Sequence, residues 1–118
     1  MGKFLIKKVP TGFKFDLKDA QEDTVATGEV YTTKASCLKG IQGVISVAPT
    51  APEVEAGETA KNPKFEVFQD KKGHFRFRLL ARNGKIIAIS EAHMTRYGCE
   101  RAIQSVRSAA EKATIEEI

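Results

Sequence analysis

An α+β domain made of two tandem β-β-β-α-β repeats is the fold this sequence predicts, and three observations predict it. The first is an internal duplication. Phe13-Lys14-Phe15-Asp16-Leu17 matches Phe75-Arg76-Phe77-Arg78-Leu79 at an offset of 62 residues. The same offset aligns Ala26 with Ala88, Glu29 with Glu91, Thr33 with Thr95, Cys37 with Cys99, Ile41 with Ile103 and Val44 with Val106. The second is the two-residue alternation of apolar and polar side chains in those matched strings, the period of a half-buried strand. The third is a switch to helical spacing: Cys37, Ile41, Val44 and Ala48, then Cys99, Ile103, Val106 and Ala110, each form one apolar stripe.

The elements follow in order. Phe4 to Val9 and Phe65 to Gln69 read as first strands. Pro10-Thr11-Gly12 and Asp70-Lys71-Lys72-Gly73 follow them as turns, because proline presets φ and glycine accepts a positive one. Phe13 to Lys18 and Phe75 to Leu80 are second strands. Asn83-Gly84 then signals a tight hairpin, whereas the matching Gln21-Glu22-Asp23 lacks that chemistry and predicts a looser turn. Third strands fall around Val25 to Gly28 and Ile86 to Ser90. Thr33 and Thr95 stand where their hydroxyls cap helix starts. Pro49 and Pro52 end the first helix, and the second has no such stop before Lys112. Short strands are expected at Glu53-Val54-Glu55 and Thr114-Ile115-Glu116. The chain is thus one domain, 1–118, of two repeats (about 1–57 and 63–118) with a connector at about 49–63.

Size and composition fit one soluble domain: 118 residues, 42% hydrophobic and 29% charged. A repeat near 55 residues is marginal alone, so the halves are expected to share a core. No apolar run approaches a membrane span, the first residues match neither a secretory nor a myristoylation signal, and two cysteines make no disulfide framework; a cytoplasmic, non-membrane protein is expected. The net charge of +4 is uneven. Residues 1–62 carry eight lysines against eight acids, whereas residues 63–118 carry eleven cations, including every arginine, against seven acids. That asymmetry is compatible with an acidic partner, and more simply with a solvated surface that drifted basic after duplication.

Catalytic and metal chemistry find little support. His74, His93, Cys37 and Cys99 offer no closely spaced ligand pair, and both cysteines lie on apolar stripes, so no metal or cofactor is expected. His93 and Cys99 straddle a helix start with the thiol facing inward, which argues against a nucleophilic pair. Glu29 and Glu91 are the carboxylates the duplication keeps. They suit a paired-acid site, or more simply a structural role accepting N–H groups at a helix start. Gly40-Ile41-Gln42-Gly43 lies within a helix and is no phosphate cradle.

The strand that points Phe75, Phe77 and Leu79 at the helices must point Arg76 and Arg78 away, as Lys14, Asp16 and Lys18 do in the first repeat; Leu5 and Phe68 share this outer face. Arginine beside an outward ring on an open sheet is how several proteins hold single-stranded nucleic acid. Lys14, Phe68, Arg76 and Arg78 are therefore the candidate binding residues. The expected function is a small binding or interaction module, with a nucleic-acid binder and a protein-interaction adaptor as competing readings and an enzyme using Glu29 and Glu91 as the third. Arg76 and Arg78 are expected to be solvated, so that replacing both with Ala would not lower thermal stability.

Phe65-Glu66-Val67-Phe68, Asp70-Lys71-Lys72-Gly73, Phe75-Arg76-Phe77-Arg78-Leu79, Asn83-Gly84, Ser90-Glu91 and Ile103-Gln104-Ser105-Val106 together resemble the YegP-like family of small uncharacterised bacterial proteins. The likeness spans both repeats and is weaker in the first, where Thr24-Val25-Ala26-Thr27-Gly28-Glu29 keeps the Ala…Glu spacing and loses Asn-Gly. It implies one antiparallel sheet with both helices on one face. It also implies an internal pseudo-dimer, with the short strands at Val54 and Ile115 exchanged between units, and hence a monomeric chain. It implies no activity.

Overall fold

The computed structural model describes residues 2–118, which form one eight-stranded sheet and two helices. The first repeat supplies β1 (Lys3–Val9), β2 (Gly12–Lys18), β3 (Thr24–Thr27), α1 (Lys34–Val47) and β4 (Glu53–Glu55). The second supplies β5 (Lys64–Gln69), β6 (Phe75–Leu80), β7 (Ile86–Ile89), α2 (Arg96–Ala110) and β8 (Thr114–Glu117). Across the sheet the order is β4-β5-β6-β7-β3-β2-β1-β8. Each terminal strand therefore lies at the far edge, on the first strand of the other repeat.

Six strands are antiparallel, as expected, but the exchanged strands are not. β4 runs parallel to β5, and β8 parallel to β1, so the sheet is mixed. Strands joined by a hairpin turn must run antiparallel; β4 and β8 are delivered by a helix, which leaves their sense free.

The duplication is visible in geometry. Phe4 and Phe15 meet edge to face at 5.6 Å, and Phe65 and Phe77 do the same at 5.6 Å. The first-strand offset is 61 rather than 62, because the turn before Phe75 holds one residue more than that before Phe13. Thr33 and Thr95 cap their helices, accepting from the Ser36 and Gly98 N–H groups at 3.1 and 2.9 Å. Both helices bury their stripes against one sheet face, in a single core that contains Cys37, Ile41, Ile103 and Cys99.

One turn differs from expectation in an informative way. The segment at Gln21-Glu22-Asp23 is not loose. It repeats the bonds of the Asn-Gly turn: Asp19 N–H to Asp23 O and Glu22 N–H to Asp19 O match Ala81 N–H to Lys85 O and Gly84 N–H to Ala81 O. Glu22 takes the positive φ (68°) that Gly84 takes in the second turn. The Asp19 carboxylate accepts from the Gln21 and Asp23 N–H groups, holding a conformation that glutamate alone disfavours.

The centre of the sheet is its narrowest ladder. β3 and β7 share one partnered pair, Thr27 with Ile89. The repeats are joined elsewhere: α1 packs on β7, α2 packs on β3, and the exchanged strands close both edges.

Candidate functional site

The helix-free face of the sheet carries the candidate binding residues, and the register fixes its composition. Lys3 opposes Lys18, Leu5 opposes Asp16 and Lys7 opposes Lys14. Lys64 opposes Leu80, Glu66 opposes Arg78 and Phe68 opposes Arg76. Glu116 lies beside Leu5. Seven cations (Lys3, Lys7, Lys14, Lys18, Lys64, Arg76, Arg78) thus share the face with three carboxylates (Asp16, Glu66, Glu116).

All four candidates lie on this face, but only Phe68, Arg76 and Arg78 are neighbours, on β5 and β6; Lys14 is on β2, with β7 and β3 between, and all four are half-buried rather than solvated. Arg78 donates to Glu66 at 2.6 Å and lies 4.5 Å over the Phe68 ring. Arg76 donates through Nε and Nη2 to the Ser90 carbonyl at 3.3 and 3.0 Å. The expectation that both arginines are dispensable to the fold is corrected accordingly: the flat guanidinium finds acceptors and an aromatic face within the sheet itself. Glu66 also faces Lys64 at 3.5 Å. The Arg78 hydrogen bond, with the charge of both cations, holds the Glu66 carboxyl below its usual range, while burial opposes this. In the first repeat Asp16 stands where Arg78 stands in the second, and its partner is Lys7. Arg76 meets a carbonyl and has no ion-pair partner among the described residues. Lys14 has no ion-pair partner among the described residues.

Glu29 and Glu91 are exposed, and neither side chain bonds a backbone N–H group at a helix start among the described residues. Thr33 and Thr95 do that work instead. His93 and Tyr31 are repeat-related: each bridges a strand start, Tyr31 to Phe13 and His93 to Phe75. Burial lowers the pKa of His93 below 6.5, opposed by Glu91, and its Nε2 is buried without a hydrogen-bond partner among the described residues. Burial likewise raises the Cys37 thiol and pushes that of Cys99 up to about 11. No group of three or more His, Cys, Asp or Glu side chains is placed to hold a metal among the described residues. No helix is long and apolar enough to cross a membrane.

The sequence reading missed a cleft of about 750 Å³ between α1 and the β6–β7 hairpin. Glu29, Tyr31, Lys39, Gly40 and Gly43 border it on one side, and Lys85, Ile86 and Ile87 on the other. The signal for it lay in the places where the repeats disagree: Gly40 against Ala102, Gly43 against Ser105, and Tyr31 against His93.

Strand exchange, paired aromatic cores and a basic open face define a two-repeat α+β protein, and the comparisons place it. The chain belongs to the family described as a domain of unknown function, DUF1508, which matches it twice, over residues 11–55 and 70–117. It is 34% identical over 113 residues to the UPF0339 protein YegP of Escherichia coli O157:H7, covering 96% of this chain and 93% of that one. A UPF0339 protein of Treponema denticola is 47% identical over 55 residues, which is 95% of that protein but 47% of this chain, so it is about one repeat long. The solution structure of the Escherichia coli protein of unknown function yegP superposes with a TM-score of 0.83 at 31% identity, covering 98% of this chain and 91% of that one. That of the Shewanella oneidensis UPF0339 protein SO3888 gives 0.83 at 25% identity, covering 98% and 90%.

Proposed function

We propose that this protein is a small monomeric binding module that presents its helix-free sheet face to an acidic partner, single-stranded nucleic acid being the first reading. One observation carries it: seven cations against three carboxylates on a face that no helix covers. Lys14 and Arg76 are the contacts available to phosphate, because Lys3 pairs with Glu22, Lys7 with Asp16, Lys64 and Arg78 with Glu66, and Lys18 donates to the Thr24 hydroxyl. Phe68 supplies apolar surface beside Arg76. Few phosphates are engaged, so binding is weak and fades as salt rises.

A protein-interaction adaptor is the second reading, and Phe68 favours it. One face of the ring lies under Arg78, which limits its use as a stacking platform for a base. The test is a titration of labelled protein with single-stranded DNA and RNA at low salt, followed by NMR. The expected result is shifts at Lys14, Phe68 and Arg76 that vanish in a Lys14→Glu, Arg76→Glu variant. No movement on this face at high micromolar concentration removes the nucleic-acid reading. The adaptor reading then leads, with Phe68 its first residue to mutate.

A further inference from the structure

The cleft between α1 and the β6–β7 hairpin has a counterpart, and comparing the two shows how it arose. A smaller hollow of about 300 Å³ is lined by Asp19, Gln21, Arg101 and Ser105, among others. At the offset of 62 these four match Ala81, Asn83, Lys39 and Gly43 of the larger cleft. The two hollows are therefore repeat-related, and divergence has widened one of them.

Two glycines in the middle of α1 lie at the wall of the larger cleft, and Gly43 stands where the smaller hollow has Ser105. A glycine inside a helix costs stability relative to alanine, so each calls for a reason. Gly40 has one within the fold: a Cβ there would come within 2.3 Å of the Tyr31 hydroxyl. Gly43 has none. A Cβ there would touch only the Ile87 Cδ1 atom, at 3.4 Å, an ordinary contact. Its effect is to leave the helix wall of the cleft bare opposite Ile86 and Ile87. A position that gives up stability without a packing cause, at the wall of a cavity, is the mark of a site kept open for a ligand.

We propose that this cleft binds a small organic anion with a flat apolar body, of the aromatic carboxylate class. The body lies between the Gly40–Gly43 face of α1 and Ile86–Ile87, and Lys39 and Lys85 on the two walls supply the opposite charge. Neither lysine has an ion-pair partner among the described residues. Against them stands Glu29, so the rim carries one net positive charge and suits a monoanion. Burial, with the charge of Glu29, raises the Tyr31 pKa, so its hydroxyl is protonated and able to donate to a carboxylate.

The test is an NMR titration of the whole chain with benzoate, and with benzamide as its neutral counterpart. Benzoate is expected to shift the Gly40, Gly43, Gly84 and Lys85 amides saturably in the millimolar range, with benzamide about tenfold weaker. Gly43→Leu is expected to abolish these shifts by filling the cleft. Lys39→Gln with Lys85→Gln, both at exposed positions, should weaken benzoate about tenfold without moving benzamide. The double variant decides the matter if Gly43→Leu does not fold. Equal binding of the two probes, insensitivity to the lysine changes, shifts confined to the outer sheet face, or no shift at millimolar benzoate would each overturn the proposal.

Discussion

At residue scale, single side chains record where the repeats diverged. His93 has a folded pKa below its ordinary 6.5, so just below that pH the unfolded chain binds more protons than the folded one. The stabilising effect of keeping this ring neutral is complete above pH 6.5 and is lost as pH falls through the lowered folded value. His93→Phe should flatten that part of the stability profile, measured by denaturant unfolding at a series of pH values; an unchanged slope would mean that other groups cause it. Gly43→Ala should raise stability by roughly 1 kcal/mol, since the helix gains alanine's propensity and meets only an ordinary contact. Thermal unfolding checks it, and a lower midpoint would show that the helix wall is closer than 3.4 Å to Ile87 implies. Cys99 is fully buried with its thiol pushed up to about 11, so it should react slowly with thiol reagents at neutral pH. Cys99→Ser should cost about 1–3 kcal/mol by burying a hydroxyl. Rapid labelling of the folded protein would contradict this burial.

At the scale of elements, the exchanged strands are held by matching clamps. Arg96 at the start of α2 pairs with Glu55 of β4, and Lys34 at the start of α1 pairs with Glu117 of β8. Lys34 matches Arg96, and Glu55 matches Glu117, at the same offset of 62. Each helix therefore grips the strand that the other repeat has lent. Exposed pairs contribute little individually, so the clamps fix register more than stability. All four residues of β8 are exposed, and its main effect is to cover the β1 edge. Deleting residues 114–118 should lower the denaturation midpoint modestly and make the mass concentration-dependent as bare edges pair. Unfolding and light scattering indistinguishable from the full chain would mean that β8 is a passive appendage.

For the whole molecule, the duplication supplies both partners of an exchange, so the chain is expected to run as a monomer of 13.0 kDa. A mass near twice that at micromolar concentration would contradict it. Residues 63–118 alone would lose β4 from one edge and expose the seam at Ile89, together with the surface that α1 covers on β7. That fragment should pair with a second copy or fail to fold. A cooperatively unfolding monomer from residues 63–118 would overturn this account.

Nearly every element was legible in the sequence, because alternation, helical stripes and capping threonines are local signals and the duplication states each of them twice. The inward and outward faces of Phe75 to Leu79 followed from alternation alone. What required tertiary structure was whatever depends on distant neighbours. Strand alternation says that Arg76 and Arg78 point outward, but only the register shows Glu66, Phe68 and the Ser90 carbonyl within their reach. The sense of β4 and β8 follows no turn, and so no turn residue announces it. The cleft lies between a helix of one repeat and a hairpin of the other, and its bare helix wall was written as Gly43, a residue whose lack of a side chain gains meaning only beside Ile87. Local periodicity fixes which way a side chain faces; only packing at long sequence separation fixes what it faces.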